Sequence, residues 1–172
     1  MTGGIMIRGL PDDLTTAVRQ TLRSPEYGHP VVREVASGTG PCRACLSLFH
    51  VGAEERLLFT YRPSETDGTL GAPGPVFIHA EPCPRYEGTA FPPALRDLPL
   101  VFEARAGENR VLSSRRATGD AVDEAMADLL ADPAVTCLYI RHGEAGCHIA
   151  RVERRFGDSA DSVTPAVTTP RP

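Results

Sequence analysis

The chain has 172 residues, 41% of them hydrophobic, and a formal net charge of −4, proportions that fit one soluble domain with an ordinary core and no apolar run of membrane-spanning length. All eighteen basic residues are arginine, which excludes chemistry that needs a lysine, such as a Schiff base or a P-loop. Dispersed arginines on an acidic chain also argue against nucleic-acid binding, which concentrates basic charge on one face.

The first ten residues lack the basic region and apolar stretch of a secretory signal, so a cytoplasmic, reducing location is expected. Five cysteines, an odd number, are then thiols or ligands rather than a disulfide framework. Residues 5–8 read as an opening strand. Pro11-Asp12-Asp13-Leu14 starts a helix, with proline early and acidic residues in the first turn. Leu14, Ala17, Val18 and Leu22 form its packed face, and Ser24-Pro25 should stop it. Residues 31–35 read as a strand, and residues 37–41 as a flexible approach to Cys42. Residues 45–49 and 57–61 predict a hairpin around the loop 51–55. Residues 64–75, rich in glycine and proline, are expected to form a loop.

Next, residues 76–78 form a short buried strand that delivers His79 at its end. Pro82 and Pro84 prevent a helix beyond it, so His79, Glu81 and Cys83 are expected on one side of an extended chain. Residues 98–106 and 110–117 predict a second hairpin. The clearest helix covers 119–131, with Asp120 as its cap and Val122, Ala125, Met126, Leu129 and Leu130 on one face; Asp132-Pro133 ends it. Residues 135–141 and 147–154 form a final strand pair. From residue 157 the composition predicts a disordered tail. The sum is a single α+β domain over residues 1–156, with two main helices against a mostly antiparallel sheet, followed by the tail 157–172.

The chemistry concentrates in two segments, Pro41-Cys42-Arg43-Ala44-Cys45 and His79-Ala80-Glu81-Pro82-Cys83. Zinc takes thiolate and neutral imidazole in a tetrahedron, and a C-x-x-C turn converges two sulfurs on one point. Cys42, Cys45 and His79 are therefore the candidate zinc ligands. If Cys83 joins them the shell is closed and the metal clamps two loops. If it does not, a water completes the tetrahedron and Glu81 stands as its acid and base. His79, Cys42, Cys45 and Glu81 then match, in chemistry though not in chain order, the set used by zinc-dependent cytidine and adenine deaminases. Packed thiols without metal, or a redox pair of Cys42 and Cys45, are the alternatives.

A metal-free enzyme is the main rival reading, with Cys83 or Cys147 as thiol nucleophile and His79 or His142 as base. A third class is a binding module in which zinc is structural. Arg43, Arg62 and Arg85 are candidates to clamp a carboxylate or phosphate of a small polar ligand, and so is Arg141. Tyr61 and Tyr86 flank the same loops and are candidate pocket walls. Small molecules are thus the expected partners, with no nucleic acid and no membrane.

Several spaced motifs occur in one order: Pro41-Cys42-Arg43 with Cys45-Leu46, Tyr61-Arg62-Pro63, the run from Gly74 through His79 and Cys83 to Tyr86, then Gly146-Cys147 and Ala150-Arg151-Val152-Glu153-Arg154. In this the chain resembles a bacterial family, that of domain of unknown function 1203, over roughly residues 5 to 155. The resemblance implies a domain and no activity. Against the family pattern, His148 stands where an aromatic residue is expected and His142 where asparagine is.

Overall fold

The computed structural model describes residues 4–63, 72–107 and 110–155. The proposed tail and most of the 64–75 loop lie outside the described residues. The architecture is α+β and mostly antiparallel sheet. Nine strands are described: β1 (Ile5–Arg8), β2 (Val32–Val35), β3 (Glu55–Tyr61), β4 (Gly74–His79), β5 (Glu87–Gly88), β6 (Leu100–Arg105), β7 (Val111–Ala117), β8 (Cys137–His142) and β9 (His148–Arg154). The helices are α1 (Asp12–Thr21) and α2 (Ala121–Ala131), with a 3-10 turn at Pro93–Leu95. Six strands form one sheet in the order β5-β1-β9-β8-β6-β7, and three form another in the order β2-β3-β4.

Each sheet has its own core. Val122, Ala125, Met126 and Leu129 of α2 pack on Leu100, Phe102, Leu138, Ile140 and Val152 of the large sheet. Val18 of α1 packs with Leu10, Leu57, Phe59, Val76 and Ile78 of the small one, and Cys42 and Ala44 belong to this second cluster. The two layers meet where the β1–α1 turn crosses residues 43–44. There the Leu10 amide donates to the Arg43 carbonyl at 2.7 Å, and the Tyr86 amide donates to the Ala44 carbonyl at 2.8 Å.

The expected strand at 45–49 is absent. Residues 43–45 turn instead, closed by the Leu46 amide on the Cys42 carbonyl at 2.9 Å, and Leu46 itself is left-handed at φ 56°. With that segment folded back, β3 takes β2 and β4 as its partners. Helix α1 stops one turn before Ser24-Pro25, because Leu22 takes a left-handed cap (φ 51°) and donates its amide to Val18. In α2, Asp120 sits at the N-cap in a helical conformation and makes no side-chain cap bond. The turn before it meets the need, with the Val122 amide on the Gly119 carbonyl at 3.3 Å.

One irregularity re-aims a side chain. β8 and β9 run in register until Ile140 faces Ala150, and then Arg141 faces His148. Ile149 is the extra residue of a β-bulge. By strict alternation His148 would follow Ala150 and Val152 into the α2 core. The bulge instead brings it to the face that carries Tyr139 and Arg151, and its ring lies 5.9 Å from that of Tyr139.

Candidate metal centre

Cys42, Cys45, His79 and Cys83 converge, each offering one ligand atom within 4.8 Å of the other three. Cys42 and Cys45 come from the tight turn, His79 from the last position of β4, and Cys83 from the chain beyond it. A parallel bridge from Cys42 to Phe77 aligns the turn with β4. The Cys42 and Cys83 sulfurs are 3.8 Å apart, and Cys45 Sγ is 3.5 Å from His79 Nδ1. Ligand atoms around tetrahedral zinc stand roughly 3.3–4 Å from one another, so the group needs little adjustment to hold an ion.

The electrostatics suit a cation. Hydrogen bonds from the Cys45 and Cys83 thiols, with the amides of Cys45 and His79, hold the Cys42 thiol down at a pKa of about 3 against the opposing effect of burial. The His79 amide is 3.4 Å from that sulfur. Cys83 is pushed up, first by the same contact with Cys42 and then by Cys45 and its own burial. Clustered sulfurs cannot all ionise unless a positive charge sits among them. A divalent ion removes that conflict, and Arg19 of α1 offsets the remaining charge from outside, with its guanidinium 3.5 Å from Cys83 Sγ and 3.1 Å from the His79 carbonyl.

Behind the imidazole stands Glu54, whose carboxylate is 3.4 Å from His79 Nε2. That carboxylate also accepts the His50 amide at 2.7 Å, which fixes its place. A carboxylate on the far nitrogen of a ligating histidine sets its tautomer and orientation; here it leaves Nδ1 to the sulfurs. Neither Arg19 nor Glu54 was indicated by sequence, since one is an ordinary helix residue and the other sits in what reads as a loop. We expect Glu54→Ala to weaken zinc affinity by about 10–100-fold, measured by competition with a chromophoric chelator.

Glu81 is placed differently from its expected side of the chain. The backbone bends at residues 80–81 after β4 ends, so His79 and Cys83 turn inward while the Glu81 side chain is 84% exposed, 4.0 Å from Arg33. The other candidates fall into separate surroundings. Cys147 is buried and accepts a hydrogen bond from Arg43 at 3.1 Å. His142 turns its Nδ1 to the amides of Glu144 and Ala145. Arg43 is itself buried, donating also to the His148 and Pro41 carbonyls, and burial pushes its pKa down despite the nearby Cys147 sulfur. Arg62 lies 3.9 Å from Glu26, Arg141 is paired with Glu103 at 3.2 Å, and the Tyr86 hydroxyl donates to the Ala90 carbonyl. Tyr61 and Arg85 line a cleft of about 180 Å³ with Arg8, Tyr139, His148 and Arg151.

A family model described as "Protein of unknown function (DUF1203)" matches residues 39–154, more than half of the chain. The chain belongs to this family. All four converging ligands of the DUF1203 chain fall within the matched residues, whereas β1, α1 and Arg19 precede them. No curated protein and no solved structure matches the chain.

Proposed function

We propose that this chain is a zinc-binding module in which Cys42, Cys45, His79 and Cys83 form a closed structural centre. The observation that carries this reading is Cys83. Its sulfur lies 3.8 Å from that of Cys42, which supplies a fourth protein ligand and leaves no position for a reactive water. The metal would tie the 42–45 turn to β4 and the segment after it, on the side where α1 packs. Deaminase-like hydrolysis is the weaker reading, because it needs Cys83 out of the shell and a general base facing the metal, and Glu81 faces Arg33 instead. The cysteine-nucleophile reading is weaker again, since Cys147 is buried away from solvent. A reducing cytoplasm is the compartment we propose, because it keeps such thiols available for metal. None of the described helices is long and apolar enough to cross a membrane.

Metal analysis of tag-free protein prepared in reductant tests the reading. One zinc per chain is expected, with Cys83→Ser losing most of it and Glu81→Gln retaining all of it. Zinc bound equally well by the Cys83→Ser protein would overturn the closed shell, and a preparation that cannot be loaded with zinc would overturn the centre itself.

A further inference from the structure

Thiolates that hold a metal are also nucleophiles toward oxidants, and the sulfurs of the centre differ in how far an oxidant can reach them. Cys42 is fully buried, pinned by its amide on the Ser47 carbonyl at 2.9 Å and by its bridge to Phe77. Cys45 is half-buried between Ala44 and Leu46, both inside the protein. Cys83 is half-buried too, but it stands on a segment without regular secondary structure, with Glu81, Pro82 and Pro84 exposed around it. A guanidinium nitrogen of Arg19 lies 3.5 Å from its sulfur. A partly exposed sulfur beside a fixed positive charge is the setting in which cysteines react.

The second observation is the sulfur behind it. Cys42 Sγ is 3.8 Å from Cys83 Sγ, against about 2 Å in a disulfide. Closing that gap takes a shift of roughly 2 Å, which falls to the irregular chain at Cys83, because Cys42 is held by its turn and by β4. An oxidised sulfur at Cys83 therefore has a second thiolate poised against it, the arrangement that turns a sulfenic acid into a disulfide. Cys137 and Cys147 are buried and stand outside the cluster, so neither competes for that sulfur.

We propose, resting on the zinc reading above, that the centre is a peroxide-responsive switch in which a hydroperoxide converts Cys42 and Cys83 to a disulfide and releases the metal. The Cys83 thiolate attacks the peroxide: an S–O bond forms, the O–O bond breaks, and the departing oxygen takes a proton and leaves as water or an alcohol. The Cys42 thiolate then attacks the Cys83 sulfur: the S–S bond forms, the S–O bond breaks, and hydroxide takes a proton and leaves as water. Two electrons pass from the sulfurs to the peroxide. Cys45 and His79 are then too few to hold the ion, while the disulfide keeps the 42–45 turn tied to the chain after β4.

The zinc-loaded full chain is treated with a molar excess of hydrogen peroxide, and zinc release is followed with a chromophoric chelator against an untreated control. The products are alkylated, digested with trypsin without reductant and mapped by mass spectrometry. Cleavage after Arg43 separates Cys42 from Cys45, so the partner of each is read directly. One zinc released per chain is expected, together with a link between the Cys42 and Cys83 peptides, and dithiothreitol with added zinc should restore the loaded centre. Zinc retained through the treatment, a link from Cys42 to Cys45, or release with no disulfide overturns the proposal and leaves the metal centre standing. A chain that takes up no zinc before peroxide is added overturns both, so the two failures are told apart by the metal content at the outset.

Discussion

Removing the metal is expected to unfold the smaller layer of the protein. Apparent binding free energies of structural zinc in Cys/His sites are about 10–16 kcal/mol, as large as the whole stability of a typical domain, about 5–15 kcal/mol. Without the ion, Cys42 is held down by its neighbours while Cys83 is pushed up beside it. The 42–45 turn then keeps its backbone bonds to β4, the β1–α1 turn and Tyr86, the Arg43 contacts and its share of the small core, and loses the tie to His79 and Cys83. Even about 5 kcal/mol of lost stability lowers the melting temperature by roughly 10–20 °C in a chain of this length. Thermal unfolding followed by circular dichroism, in reductant with and without chelator, measures this. Hydrogen exchange locates it, since amides of β2, β3 and β4 should lose protection before those of β6, β8 and β9. Metal-stripped protein with an unchanged midpoint would show that the four ligands are packing and not a clamp.

Gly9→Ala should be the most damaging single methyl in the described chain. A Cβ at Gly9 would stand 2.0 Å from the Ala44 carbonyl oxygen and 2.8 Å from that of Arg43. These are backbone atoms of the turn that carries the two cysteines, and no flexible side chain can give way. The Gly9 backbone is not left-handed, so the penalty is one of space alone. Around it the Gly9 amide donates to the Tyr86 carbonyl at 3.0 Å, and the Gly9 carbonyl accepts from Arg85 at 3.0 Å. Forcing the seam apart would therefore disturb the cysteine turn and the arginine cleft together. Overpacking ordinarily costs about 1–3 kcal/mol and sometimes more; with a fixed backbone on both sides we expect about 3 kcal/mol or above, read from the urea midpoint. Gly38→Ala serves as the control, because nothing lies within 4 Å of the position its Cβ would take. A Gly9→Ala protein indistinguishable from that control would mean that the seam is looser than described.

The local elements were legible where one physical signal dominated. The apolar spacing of Val122, Ala125, Met126 and Leu129 announced α2, and the two runs 98–106 and 110–117 announced the β6 and β7 pair, because both signals act between near neighbours. The segment 45–49 misled for the same reason. Its apolar residues read as strand, but Leu46 and Phe49 are buried by turning into two different cores, a choice made by long-range packing rather than by local preference. The face that His148 takes does not follow from its spacing, because one inserted residue reverses it.

The site divides along the same line. The thiol pair and the imidazole could be named from the residues, because zinc ligands are few in kind and a C-x-x-C turn converges them within four positions. Which carboxylate serves the imidazole was not legible: Glu81 is two residues from His79 and faces outward, while Glu54 is 25 positions earlier and touches it. What the sequence by itself determined is the donor chemistry, the absence of lysine chemistry, the helices and most strands, all properties of residue type and short-range period. Only the tertiary structure decided that Cys83 converges with Cys42, Cys45 and His79, that Arg19 and Glu54 stand behind them, and that arginines from β1, β9 and the chain after Cys83 face one cleft. Those relations join segments far apart in the chain, and they are set by strand register, one bulge and the close crossing at Gly9, none of which leaves a periodic mark in the sequence.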